Sequence, residues 1–70
     1  MESMRWEEGF MISVRLDGKT AILTANREGL LSLARIMKDL AGEASGSHIH
    51  LDRYNSLEED SAELIIEKTT

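Results

Sequence analysis

The chain has 70 residues, which predicts one domain spanning 1–70, and the absence of cysteine excludes disulfides and thiolate metal sites. No apolar run approaches the ~18 residues of a membrane span, and the charged segment MESMRWEEGF does not fit a signal peptide, so we expect a cytoplasmic protein. The net charge of −5 is unevenly placed: residues 1–41 hold six acidic and six basic side chains, and residues 42–70 hold seven and two. This acidity argues against nucleic acid as a partner and fits either a basic protein partner or simple solubility.

The first predicted element is a β-hairpin. Apolar and polar residues alternate over 10–16, as on a strand with one buried face, and Asp17-Gly18 is a preferred dipeptide for a two-residue turn. Thr20–Ala25 has the pattern of the return strand. A turn at Asp17-Gly18 would pair Val14 with Ala21.

An amphipathic helix is predicted next, from Arg27 to Ala41. Asn26 is a favourable N-cap, and Gly42 is a plausible stop. Gly29 in the first turn suggests a close approach of the helix to the sheet. Apolar residues recur at helical spacing, and the face expected to pack on the sheet comprises Leu30, Leu33, Ala34, Met37, Leu40 and Ala41, widened by Leu31 and Ile36.

Two further strands are predicted, His48–Tyr54 and Ala62–Lys68, because both segments alternate with period two. Between them, Ser56 and Glu59 match a capping box and predict a single helical turn. The order strand, strand, helix, strand, strand predicts an α+β fold, ββαββ. One helix would cover one face of a four-stranded, mainly antiparallel sheet.

The alternation predicts a polar surface on the sheet face opposite the helix, called here the open face. If Ile49 and Leu51 face the helix, the other side chains of the third strand point away from it, and Arg53 returns to the core side. The candidate partner-binding residues are His48, His50, Asp52, Tyr54, Glu63 and Glu67.

These residue types admit several functions. Two histidines at i and i+2 could converge on Zn²⁺, but the chain lacks a second histidine cluster, so we assign no metal and no cofactor. No nucleophile motif or phosphate-binding loop is present, and we expect no enzyme. A face mixing His, Tyr and acids with isolated apolar residues is typical of a protein interface.

Two apolar features bear on that interface. Ile22 and Ile65 on the open face are consistent with a homodimer seam. Trp6 lies outside the strand pattern, and it either covers the edge of the core or is exposed as an interface hot spot.

Two short motifs resemble a known family. Asn26-Arg27-Glu28-Gly29-Leu30 and His48-Ile49-His50-Leu51 are similar to the pattern Asn-x-Glu-Gly-Leu … His-Ile-His-Leu of the group 32 immunity proteins of bacterial polymorphic toxin systems. The resemblance runs from about Leu23 to Leu51. It implies a cytoplasmic inhibitor that binds and neutralises a cognate toxin made by the same cell, without catalysis. The alternative is a small His-x-His metal-binding domain or a homodimeric structural domain.

Overall fold

The computed structural model describes residues 6–70, so the first five residues of the charged N-terminal segment lie outside the description. The elements are β1 (Ile12–Asp17), β2 (Thr20–Ala25), α1 (Arg27–Ala41), β3 (His48–Leu51) and β4 (Leu64–Glu67). β1 pairs with β2 and β3 with β4, both antiparallel. The α+β class and the ββαββ order are confirmed. Within the described residues, however, the strands form two two-stranded sheets instead of one four-stranded sheet.

The two sheets are joined along the free edge of β1. The amide of Glu58 donates to the carbonyl of Ile12 at 2.9 Å, and the amide of Ala62 donates to the carbonyl of Val14 at 2.8 Å. The Val14 amide donates instead to the Oγ of Ser61 at 2.7 Å. The ladder of backbone hydrogen bonds between β1 and the 58–62 segment is interrupted at Val14, because a side-chain oxygen replaces a backbone acceptor. The segment that leads into β4 therefore lies beside β1, on the side away from β2.

The β1–β2 hairpin turns one residue later than expected. Gly18 and Lys19 form the loop, and Val14 pairs with Leu23 rather than with Ala21. Gly18 has φ +61°, while no non-glycine residue among 6–70 has positive φ. A glycine alone at the first central position is the preference of a type II′ turn. The register differs from the prediction by two residues, so each side chain stays on its predicted face.

Helix α1 has the predicted bounds and N-cap. The Asn26 Oδ1 accepts from the amides of Gly29 at 2.8 Å and Met11 at 3.0 Å, and Nδ2 donates to the carbonyl of Gly9 at 2.9 Å. The Asn26 side chain thus fastens the helix start to the segment that leads into β1. Gly29 is buried, and a Cβ there would lie 2.9 Å from Cγ1 of Ile12. The close approach expected at Gly29 is confirmed.

The helix packs with a different rotation from the one predicted. The buried face is centred on Gly29, Leu33, Ile36 and Leu40, whereas Leu30 and Met37 are exposed. The buried apolar core consists of Ile12, Val14, Leu33, Ile36, Leu40, Ile49, Leu51 and Leu57. Leu16 is the last apolar residue of the alternating segment 10–16 and was expected on its buried face, but it lies near the hairpin tip and is 70% exposed.

Trp6 and Phe10 cover the edge of this core. Their rings stack with centroids 4.6 Å apart, and both are half-buried against the core cluster. The Glu7 amide donates to Oγ of the fully buried Ser32 at 2.8 Å, which holds the segment on the helix. The first interpretation of Trp6, as an edge cover, is confirmed.

Strand β3 begins at a bulge and ends earlier than predicted. Gly46 has φ +89°, its amide donates to the carbonyl of Lys68, and the Lys68 amide donates to the carbonyl of Ser47. This two-against-one pattern with a left-handed glycine is a G1 bulge. The strand stops at Leu51, and residues 53–60 form turns rather than the predicted helical turn. In the described part of the chain, no helix is long and apolar enough to cross a membrane.

Candidate functional site

The open face of β3 and β4 has the predicted alternation. Ile49 and Leu51 are buried, while His48 and His50 are exposed on the opposite side. On β4, Ile65 and Glu67 are exposed, and Ile65 is 59% accessible. The histidines of the His-Ile-His-Leu motif therefore lie on the surface because the strand gives its apolar residues to the core.

Cross-strand pairing brings the histidines and glutamates together. His48 is directly opposite Glu67. The bulge hydrogen bonds at Ser47 imply that His48 and His50 occupy non-hydrogen-bonded positions of the ladder, where opposing side chains are closest. The Nε2 of His50 lies 3.2 Å from Oε2 of Glu63.

Asp52 and Asn55 close the turn that follows β3. The Asp52 carbonyl accepts from the amides of Asn55, Ser56 and Leu57, and its Oδ1 accepts from the Tyr54 amide at 2.9 Å. Asn55 Oδ1 in turn accepts from the Asp52 amide at 3.0 Å. The predicted strand to Tyr54 was wrong because these polar side chains bond the local backbone and favour a turn.

The turn presents Tyr54 to solvent beside Arg53. Tyr54 is 82% exposed. Arg53 Nη2 donates to the Tyr54 hydroxyl at 2.7 Å, and the guanidinium lies 4.9 Å from the ring centroid. Arg53 was expected on the core side, but alternation ends with the strand at Leu51 and leaves its side chain exposed beside Tyr54. The contact between Arg53 and Tyr54 was not predicted from the sequence. Asp52 and Asn55 are residues that favour turns, and they could have indicated that the strand ends before Arg53.

A shallow depression connects the turn to β4. It has a volume of about 430 Å³ and is lined by Asp52, Arg53, Tyr54, Ser61, Ala62 and Glu63. Glu63 lies at its edge and also contacts His50. Tyr54, Glu63 and His50 therefore belong to one continuous surface, as the sequence analysis proposed for the open face.

The β1–β2 end of the molecule has a second, more apolar depression. Its volume is about 320 Å³, and Met11, Ser13, Thr24 and Glu58 are among its lining residues. Met11 is exposed there. The sequence did not predict this depression, because Glu58, which borders it, was expected in the helical turn between the last two strands.

The charge of this region is strongly negative. Glu58, Glu59 and Asp60 follow each other in the connecting segment, and no ion pair to them occurs among residues 6–70. The amine of Lys68 donates to the carbonyls of Ala41 and Glu43 at the helix end. Arg53 is bonded to Tyr54. Both basic side chains of 42–70 thus donate to neutral oxygens, and in the described part of the chain neither forms an ion pair with a carboxylate.

The arrangement offers little for metal binding. Within residues 6–70, no group of three or more His, Asp or Glu side chains has a geometry that could hold a metal ion. His50 contacts Glu63, and His48 lies directly opposite Glu67, so the two histidines have different acidic neighbours. What the surface provides chemically is hydrogen-bonding capacity, negative charge and one exposed aromatic ring.

Comparison with known proteins identifies the family. No curated protein and no solved structure matched the chain. The family model described as Immunity protein 32 matches residues 20–69, which is more than half of the 70-residue sequence. The matched region includes β2, the whole helix and both strands of the second hairpin. The chain therefore belongs to the immunity protein 32 family.

Proposed function

We propose that this protein binds a cognate toxin through its open face and neutralises it by covering the toxin's active surface. Membership of an immunity protein family is the observation that supports this function. The protein would act in the cytoplasm of the cell that makes the toxin, and it would act by binding, without catalysis. The proposed contact residues are His48, His50, Asp52, Tyr54, Glu63 and Glu67.

Negative charge is the first reason to propose a basic partner. The acidic excess of the molecule lies entirely in residues 42–70, and both Glu63, directly before β4, and Glu67, at its end, are exposed. Complementary charge raises the rate of encounter and rejects partners of the wrong sign. A toxin with a basic active surface, such as one that acts on a phosphorylated substrate, would fit this face.

Tyr54 supplies the second reason. An exposed aromatic side chain that is already ordered loses little conformational entropy on binding, and Tyr is enriched among interface hot spots. Arg53 donates to its hydroxyl, and Asp52 accepts from its backbone amide and so shapes the turn that carries the ring. We therefore assign Tyr54 a direct contact, and we assign Asp52 mainly the task of shaping the turn that presents it.

Charge reversal on β4 tests the proposal. The double variant Glu63→Lys, Glu67→Lys should lose binding to the cognate toxin by at least about a hundredfold, because two attractive contacts become repulsive. Both side chains are exposed, so the melting temperature should change little. Calorimetric titration measures the affinity, and circular dichroism measures the melting temperature.

Asp39→Lys is a suitable control because it makes the same kind of charge change at an exposed position on the helix, on the other side of the sheet. It should bind the toxin as the wild type does. Unchanged binding by the β4 double variant would contradict the open-face proposal. No binding of the toxin by the wild-type protein would contradict the proposed function itself.

A further inference from the structure

The outer edge of β2 has unpaired backbone groups. Val14 and Ile12 direct their carbonyls away from β2, toward the 58–62 segment. Leu23 and Ala25 lie directly opposite these residues, so their amides and carbonyls must point away from β1. By alternation the same holds for Ala21. Among residues 6–70, no strand pairs with this edge.

The opposite edge of the molecule is protected. β3 has only four residues, and its outward-pointing carbonyl at His50 accepts from Nδ2 of Asn55 at 3.1 Å. A short strand and a covering side chain are usual means of preventing edge-to-edge association. The contrast with β2 shows that, within residues 6–70, the fold blocks one edge and leaves the other open.

Strand β2 lacks the features that normally block an edge. Its sequence is TAILTA, six residues without a charge, and all six pair with β1 in an unbroken register without a bulge. The chain has no proline. A long, regular, uncharged edge is a template for another strand.

We propose that β2 pairs with β2 of a second copy of this chain, forming a two-fold symmetric, antiparallel dimer. Placing the axis beside Leu23 puts Leu23 of one copy opposite Leu23 of the other, and Ala21 opposite Ala25. The outward-pointing amides and carbonyls of Ala21, Leu23 and Ala25 then form hydrogen-bonded pairs between the two copies. Ile22 of one copy lies opposite Thr24 of the other, which is a favourable combination of β-branched residues. Leu23, which is 38% exposed in the single chain, gains an apolar neighbour.

Charge favours a second copy at this edge over association through the open face. Residues 1–41 have no net charge, whereas 42–70 contain the whole acidic excess and lie at the other side of the molecule. Pairing at β2 keeps the acidic surfaces apart, while contact through Ile22 and Ile65 on the open face would oppose like charges. The axis is perpendicular to the sheet, so both open faces lie on the same side and stay available.

Charge variants at Leu23 test both the dimer and its register. Sedimentation velocity from micromolar to millimolar concentration should show a dimer for the wild type. Leu23→Lys and Leu23→Glu should each be monomeric where the wild type is dimeric, with dissociation constants raised at least about tenfold, because like charges would be directly opposed. An equimolar mixture of the two should again form a dimer.

A backbone variant provides an independent test if a charge at Leu23 impairs folding. Ala21→Pro removes an amide that points outward and is not used by the β1–β2 ladder, so it should fold and be monomeric. Ala21→Thr keeps the amide and should remain dimeric. A wild type that is monomeric throughout, or a folded Ala21→Pro that still dimerises, would overturn the proposal. A mixture of the Leu23 variants that stays monomeric would overturn the register.

Discussion

Gly29 determines how closely helix α1 can approach the hairpin beneath it. A Cβ at this position would lie 2.5 Å from the carbonyl oxygen of Met11 and 3.1 Å from the Ala25 Cβ. A carbonyl oxygen on a paired strand cannot move away cheaply. The glycine of the Asn-x-Glu-Gly-Leu motif thus has a steric explanation in this chain, and Asn26 has a hydrogen-bonding one.

Gly29→Ala should destabilise the protein by about 1–2 kcal/mol. Overpacking costs roughly 1–3 kcal/mol, and the better helix propensity of alanine offsets up to about 1 kcal/mol of this. Urea unfolding measures the difference. Gly42→Ala is the matched control, since the nearest atom to its added Cβ is 3.5 Å away, and it should change stability by less than about 0.5 kcal/mol. Equal stability of the two variants would contradict the steric explanation.

Gly29 also explains why the core was predicted only in part. Leu30, Ala34 and Met37 have the helical spacing of a buried face. The predicted face of the helix depended on this apolar spacing alone. The helix instead turns its smallest residue toward the sheet, which buries Ile36 and exposes Leu30. Periodicity identifies a helix and its amphipathic character, but the rotation depends on which residue permits the closest approach.

At the level of elements, local signals predicted more than long-range ones. The bounds of β2 and α1 agree with the prediction because turn and cap residues mark them. The end of β3 was missed because Asp52 and Asn55 were counted as strand residues rather than as turn formers. The split into two sheets could not be predicted, since it depends on the Ser61 side chain meeting the Val14 amide.

Ser61 is therefore the residue whose removal should weaken the junction between the hairpins. Ser61→Ala leaves the amide of Val14, a buried residue, without its acceptor, so the free energy of unfolding should fall by about 1–2 kcal/mol. Thermal or urea unfolding measures the change.

Two other substitutions make the Ser61 test specific. Ser61→Thr keeps the hydroxyl and should recover most of the stability. Ser45→Ala removes an exposed hydroxyl that donates to the Thr69 carbonyl, and it should cost less than about 0.5 kcal/mol. If Ser61→Ala were no less stable than Ser45→Ala, the junction would not depend on this hydrogen bond.

At the scale of the whole molecule, the fold separates charge from apolar surface. The acidic connecting segment and β4 border the open face, while the uncharged edge of β2 lies on the far side of β1. Among the six candidate residues, those of the last two strands were placed correctly from the sequence, because alternation determines which sheet face each side chain occupies. Tyr54 and Asp52 were placed on the same surface for the wrong reason, since a turn and not a strand positions them.

This separation predicts how salt acts on the proposed complex with the toxin. If the acids steer encounter, the association rate constant should fall about tenfold or more between low and high salt, because screening weakens long-range attraction. The dissociation rate constant, set by short-range contacts such as Tyr54, should change much less. Stopped-flow fluorescence of a labelled toxin measures both.

The variant Glu58→Gln, Glu59→Gln, Asp60→Asn removes three charges without ion-pair partners in the described chain. It should flatten the salt dependence of the association rate constant and leave the dissociation rate constant unchanged. An association rate independent of salt in the wild type would mean that shape, rather than charge, selects the partner.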